Sequence, residues 1–191
     1  VASELREMLG HDNVVAVGEC GLDFNRNFST RSEQIRAFEA QLEMAIDLQK
    51  PVFLHQRDAH EDFISIIKSC RSDLGELVAH CFTGSIEEVN DLVILDMYIG
   101  VTGWICDERR GASLQQAVKH IPLDRVMLET DAPYLLPRDL KEKPIEKNRN
   151  EPCYLPHIAS AVAGHMGIEP ERLITAAYDN SCSFFGLGCS S

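Results

Sequence analysis

Four apolar runs in this sequence each lead into a side chain that can bind a cation. They are VVAVGECGLD (residues 14–23, with Glu19), PVFLHQRD (51–58, with His55), LVAHCFTG (77–84, with His80) and VMLETDAPY (126–134, with Glu129 and Asp131). Segments this apolar are typical of parallel strands covered on both faces. The polar residue that closes each run therefore predicts where the strand ends and the backbone leaves the core.

The segments between these runs predict helices. Helix-capping pairs follow the first three runs: Thr30 with Glu33, Asp58 with Glu61, and Ser85 with Glu88. Further helices are predicted at residues 1–9, 112–120, 155–166 and 171–185, and a further strand at 97–102. The predicted strand ends at Glu19, His55, His80, Thr102 and Glu129 lie 22 to 36 residues apart, which is the spacing of βα units.

This alternation predicts an α/β fold with a parallel sheet, which would suit an open doubly wound sheet or part of a barrel. The segment GECGLD after the first run does not have the spacing of a dinucleotide-binding loop. The chain has 191 residues, of which 45% are hydrophobic, enough for one sizeable core and a single domain over residues 1–191. Its seven cysteines show no CxxC pair, so we expect reduced thiols and a cytoplasmic or nuclear protein without a membrane segment.

Parallel strands share one C-terminal edge, so Glu19, His55, His80 and Asp131 are expected to converge there. Two imidazoles and two carboxylates are a donor set for a divalent cation. A bound cation lowers the pKa of water from about 15.7 toward about 7, which favours hydrolysis. In this interpretation Glu19 binds or bridges metal, and Asp131 either binds metal or takes the proton from the attacking water.

The formal net charge of −12 limits contact with nucleic acid, because affinity for a polyphosphate comes mainly from Lys and Arg. A hydrolase that contacts only a chain end remains compatible with this charge, since bound metal ions attract a phosphate.

The four runs, together with YIGVTGW (98–104) and RNEP (149–152), resemble the TatD family of metal-dependent deoxyribonucleases from about residue 14 to 186. The resemblance implies a TIM-type (β/α) barrel in which GECGLD stands at the fourth strand. The chain would then be an incomplete barrel with about strands 4 to 8 of eight. Its two open sheet edges would predict self-association or a partner chain that covers them.

The resemblance also implies the activity, a 3′ to 5′ exodeoxyribonuclease acting on DNA ends, mainly single-stranded. The expected cofactor is one or two divalent ions, Mg²⁺ or Mn²⁺, with Zn²⁺ as an alternative, held by Glu19, His55, His80 and Asp131. No HxH pair, which many relatives carry on the first strand, occurs here, so the ion count stays open.

Three further residues are candidate substrate contacts. Arg57 is expected to reach a phosphate or to form a surface ion pair. Asp23 is expected to support a metal ligand, to face substrate or to form a turn. Asn150, in RNEP, is expected to orient a phosphate or to anchor the long loop. Two other functions stay open: a metal hydrolase of amidohydrolase type that cleaves an amide or ester, and an inactive remnant that acts only as an interaction partner.

Overall fold

The computed structural model describes residues 2–142 and 148–188 of the chain. Five strands in these ranges form one sheet, in which spatial order follows chain order and every neighbouring pair is parallel. They are β1 (Val17–Asp23), β2 (Val52–Arg57), β3 (Leu77–Ala79), β4 (Tyr98–Val101) and β5 (Val126–Leu128). The predicted α/β class with a parallel sheet is confirmed.

Helices connect each strand to the next. The α-helices are α1 (Ala2–Leu9), α2 (Arg31–Leu48), α3 (His60–Cys70), α4 (Ile86–Ile94), α5 (Ala112–Ala117), α6 (Leu155–Met166) and α7 (Pro170–Phe185). Short 3-10 segments lie at Gly103–Cys106, Val118–His120 and Pro152–Tyr154. The helix predicted over 112–120 thus tightens into a 3-10 turn for its last residues. Of the long loop predicted after Asp131, residues 143–147 lie outside the described residues, as does Val1 of the first predicted helix.

The N-termini of the helices show which of the predicted capping residues are correct. Thr30 and Glu33 form the complete predicted capping box of α2, and Ser85 accepts the backbone N–H of Glu88 at the start of α4. The predicted cap by Asp58 is wrong. Ala59 stands at the N-cap of α3, and Asp58 instead adopts a left-handed backbone (φ 52°) and accepts a hydrogen bond from Asn25 Nδ2 at 2.8 Å.

The core lies on both faces of the sheet, as expected for parallel strands. Every residue of β3 and β4 is buried. On one side α7 is joined to β5 by Asn180, whose Nδ2 donates to the carbonyl oxygens of Leu123 (2.8 Å) and Val126 (2.7 Å). This burial holds the C-terminal ends of the strands at one edge, where the polar residues gather.

The cysteines only partly follow the expectation of reduced thiols. Cys20, Cys70, Cys81, Cys106 and Cys153 are free, whereas Cys182 is disulfide-bonded. None of the helices in the described ranges combines the length and apolarity that a membrane crossing requires.

Candidate functional site

Glu19 owes its position to a β-bulge in β1. Gly18 pairs with Phe53 and Cys20 pairs with Leu54, so Glu19 is the extra residue between two registered pairs. The strand does not end at Glu19, as predicted, but continues to Asp23. Gly21 permits this continuation: at φ 149° β1 passes so close to β2 that a Cβ atom would lie 1.8 Å from the His55 carbonyl oxygen.

His55 lies within β2, which extends to Arg57 rather than ending at the histidine as predicted. Its Nδ1 is 3.1 Å from Glu19 Oε1, and its Nε2 is 3.9 Å from Asp23 Oδ2. The imidazole is therefore flanked by two carboxylates from the neighbouring strand.

His80 follows β3 directly, as predicted, and its backbone N–H donates to the Leu54 carbonyl oxygen at 2.7 Å. The ring is 8% exposed. Its Nδ1 makes a short hydrogen bond with Glu129 Oε2, and its Nε2 lies 3.6 Å from Asp131 Oδ1. The His80 ring thus joins the ends of β3 and β5.

The donor atoms of this cluster fall into two overlapping groups. Glu19, His55 and His80 each offer one atom, and these three atoms all lie within 4.8 Å of one another. His80, Cys81 and Asp131 form a second group within the same limit. His80 belongs to both, so the four residues singled out in the sequence meet around one histidine at one edge of the sheet.

Unpartnered atoms at the site fit a cation. Among the described residues, two buried side-chain polar atoms lack a hydrogen-bond partner, His55 Nδ1 and Glu129 Oε1, and both lie here. Although Glu19 Oε1 is close to His55 Nδ1, this nitrogen makes no hydrogen bond of acceptable geometry. A buried polar group without a partner is costly. Nitrogen and oxygen donors with unshared lone pairs suit a divalent metal ion.

The carboxylates and imidazoles shift one another's protonation. The adjacent His55 ring holds the pKa of Glu19 below its usual range, despite partial burial. Burial raises the pKa of Asp131, and the Glu19 charge adds to this effect, while His80 opposes it. Burial alone would lower the pKa of His80, but the contact with Glu129 and the charges of Glu19 and Asp131 outweigh it and raise this pKa.

The three candidate substrate contacts occupy different environments. Arg57 is exposed and lines the cleft above the cluster. Asp23 combines two of its expected roles, because its Oδ1 accepts the backbone N–H groups of Asn25 and Arg26 at 2.9 Å, while its Oδ2 faces His55. Asn150 is 1% exposed and donates to the Thr130 carbonyl oxygen at 2.7 Å. Its Oδ1 accepts the backbone N–H of Glu151 at 2.9 Å, a geometry that matches the anchoring alternative.

Several residues at the site were not among the sequence candidates. Glu129 was noted at the end of its apolar run but not among the proposed ligands, yet it holds His80, and a Cβ on Gly100 would lie 1.6 Å from its Oε1. Two highly exposed aromatic residues lie near the cluster: Phe28 (90% exposed) lines a small pocket with Glu19 and His55, and Tyr134 (70%) lines the cleft. The mixed aromatic and basic segment FNRNF at residues 24–28 was the available signal for Phe28.

Together, the parallel sheet and the histidine–carboxylate cluster at its C-terminal edge define an α/β protein with a candidate metal-hydrolase centre. The family described as "TatD related DNase" matches residues 1–186. The chain belongs to this family, so the resemblance inferred from the sequence is confirmed.

Individual relatives agree with this membership. The chain is 51% identical over 187 residues to a "3′-5′ ssDNA/RNA exonuclease TatD" of Pectobacterium atrosepticum, covering 98% of this chain and 72% of that protein. A protein of the same name from Klebsiella pneumoniae is also 51% identical, with 98% and 71% covered.

Solved structures show the same fold. A TatD homologue from Escherichia coli superposes with a TM-score of 0.85 at 26% identity, covering 97% of this chain and 70% of the other. A structure from Saccharomyces cerevisiae titled an uncharacterized amidohydrolase gives 0.80 at 25% identity, with 96% and 71% covered.

Proposed function

We propose that this protein is a metal-dependent nuclease that hydrolyses phosphodiester bonds at the 3′ ends of single-stranded DNA or RNA. The observation that carries the proposal is the convergence of Glu19, His55 and His80, whose donor atoms lie within 4.8 Å of one another, with Asp131 beside His80. Family membership and the names of the relatives support the nucleic-acid substrate.

In this proposal Glu19, His55, His80 and Asp131 hold one or two divalent cations, Mg²⁺ or Mn²⁺, with Zn²⁺ as the alternative. When bound, such a cation lowers the pKa of its water and stabilises negative charge on a phosphoryl oxygen. Glu129 accepts the Nδ1 proton of His80, which fixes the tautomer and turns the Nε2 lone pair toward Asp131. This hydrogen bond thus orients His80, the residue that both donor groups share.

Asp131 has two candidate roles, as ligand or as acceptor of the proton from the attacking water. Its left-handed backbone (φ 57°) holds the carboxylate toward His80. Because burial raises its pKa, a proton-accepting role would appear as an acid limb of the pH–rate profile that Asp131→Asn removes. If the acid limb of the pH–rate profile is unchanged in Asp131→Asn, Asp131 acts as a metal ligand alone.

The rim of the cleft suits a single strand rather than a duplex. Arg26, Arg31 and Arg57 line it and can contact phosphates despite the acidic net charge. Phe28 and Tyr134 are highly exposed and line pockets next to the cluster, and unpaired bases stack on such rings. Asp23, on this proposal, supports the Arg26 backbone and His55 more than it contacts substrate.

The test is release of nucleotides from a 3′-labelled single-stranded oligonucleotide with Mg²⁺ or Mn²⁺, with chelator and His80→Ala as controls. Loss of product under both controls supports the proposal. Metal binding without phosphodiester cleavage, but with cleavage of model amides or esters, would favour an amidohydrolase. Absence of metal binding would favour a protein that acts only through interactions.

We also propose that the five strands form the latter part of an eight-stranded (β/α) barrel and that residues 1–191 are one domain. The strands are all parallel in chain order, and the superpositions cover about 70% of the longer relatives. Self-association or a partner would then cover the edges at β1 and β5, which light scattering on the purified chain tests. We further propose a cytoplasmic or nuclear location, since the substrate is nucleic acid.

A further inference from the structure

We propose that Cys106, Asp139 and His157 form a second cation site, suited to Zn²⁺ and separate from the cleft. The Cys106 Sγ, one Asp139 carboxylate oxygen and one His157 ring nitrogen all lie within 4.8 Å of one another. None of the three lines the cleft among the described residues. Thiol, imidazole and carboxylate are the three kinds of side-chain ligand that zinc sites use.

The three donors come from different parts of the fold. Cys106 ends the 3-10 segment after β4 and is 5% exposed. Asp139 lies in the loop after β5, and His157 lies in the first turn of α6. Asp139 Oδ1 is 2.7 Å from His157 Nε2, and their side chains are 42% and 35% exposed. A cation can therefore arrive from solvent on the Asp139 and His157 side, with Cys106 as its buried third ligand.

Asp139 already contacts the other two donors, through a hydrogen bond with His157 Nε2 and a contact with the Cys106 thiol, and a cation would take the place of these contacts. The nearby Arg138 is already paired with Asp107, with Nε and Oδ2 2.9 Å apart. Apart from His157, the described residues give Asp139 no cationic partner. Zinc ligands stand about 2.0–2.3 Å from the ion, so the three donors need only side-chain movements to close on one cation, with water as the fourth ligand.

The donor sets distinguish the two sites chemically. The four proposed ligands of the cleft offer nitrogen and oxygen, which suit Mg²⁺ and Mn²⁺ as well as Zn²⁺, whereas the thiolate of Cys106 would select softer ions such as Zn²⁺. Because the Cys81 thiol lies beside the cleft cluster, the two thiols must be tested separately. Burial and the Asp139 charge raise the pKa of Cys106 to about 12, so the thiol is protonated without an ion. Binding would form a Zn–S bond and release that proton to solvent. The bound ion would fasten the loop after β5 to α6 and to the turn after β4.

Co²⁺ is the probe, because thiolate-to-cobalt charge transfer gives a near-ultraviolet band that nitrogen and oxygen ligands do not give. The full chain is dialysed against chelator and titrated with Co²⁺. We expect a band whose final amplitude corresponds to one thiolate-bound Co²⁺ per chain, its loss in Cys106→Ser, and its retention in the matched control Cys81→Ser, which alters the thiol beside the cleft. The band should also persist in His80→Ala.

Zinc content and thermal unfolding supply a second readout that does not depend on activity. Because the cleft can also take Zn²⁺, the comparison is made in the His80→Ala background: Zn²⁺ should raise the Tm of His80→Ala by mass action, and adding Cys106→Ser should abolish that rise while keeping the near-ultraviolet circular dichroism. His157→Gln, at a partly exposed position, should weaken Zn²⁺ binding at least about 10-fold. No band in the unaltered chain, a band unchanged in Cys106→Ser, or a band lost in Cys81→Ser would overturn the proposal.

Discussion

Two carboxylates that follow neighbouring strands, Asp107 after β4 and Asp131 after β5, have opposite surroundings. Asp107 Oδ1 accepts the backbone N–H groups of Arg109 and Arg110, and its Oδ2 lies 2.8 Å from Arg110 Nε and 2.9 Å from Arg138 Nε. The hydrogen bond from Arg110 lowers the pKa of Asp107 to about 2. Both oxygens of this carboxylate therefore have partners within the protein.

Asp131 has no such set of cations. It faces His80 at 3.6 Å, shares the site with the like charge of Glu19, and has its pKa raised by burial. The two unpartnered polar atoms lie in the same cluster. Carboxylates that are paired with arginines stabilise the fold. Carboxylates that lie beside histidines with unused lone pairs are instead positioned to bind a ligand such as a cation. Changes at these two kinds of carboxylate environment should therefore differ in their effects on activity and on stability.

The largest effect on activity is expected from His80→Ala. This change removes the residue shared by both donor groups, so nuclease activity should fall by more than about 100-fold, the upper range for losses at outer-shell residues. His11→Ala, at an exposed histidine remote from the cluster, is the matched control and should keep full activity. Equal kcat/KM values in the two variants would show that the reaction does not take place in the cleft.

Glu129→Gln should have an intermediate effect, about 10- to 100-fold on activity, because it weakens the acceptor that orients His80 without removing a ligand. As a positioning residue, Glu129 should also alter the metal concentration needed for half-maximal activity. Glu76→Gln, an exposed carboxylate elsewhere, serves as the control. A drop in kcat/KM with unchanged metal dependence would argue against the orienting role.

Phe28→Ala should have a smaller effect, a roughly fivefold rise in KM for a single-stranded oligonucleotide, which corresponds to about 1 kcal/mol of lost stacking. Phe28 is 90% exposed, so the fold should not change. The same substrate with an abasic 3′ end supplies the control, since it has no base to stack there. If KM rises equally for both substrates, Phe28 does not act through stacking.

Asp107→Asn should leave activity per folded molecule unchanged and lower the Tm. The sign of its pH dependence follows from the depressed pKa: the stabilisation is present above the unfolded-state value of about 3.9 and disappears as pH falls through about 2. Urea unfolding of the unaltered chain and the variant should therefore converge between about pH 4 and pH 2. A constant difference across that range would show that the Asp107 charge does not stabilise the fold.

Local patterns in the sequence were enough for the repeating βα units, the capping box at Thr30 and the convergence of Glu19, His55, His80 and Asp131. This is because alternating apolar runs and caps act over a few residues, and parallel strands bring their C-terminal ends to one edge whatever their separation in the chain.

The detailed contacts of the site were decided only by the tertiary structure. The bulge that projects Glu19 depends on the register between β1 and β2, and the bond from His80 to Glu129 joins residues 49 positions apart. The burial of Asn150 and the meeting of Cys106 with His157 likewise depend on how the loop after β5 packs. Such contacts are set by long-range packing, which no short stretch of sequence encodes by itself.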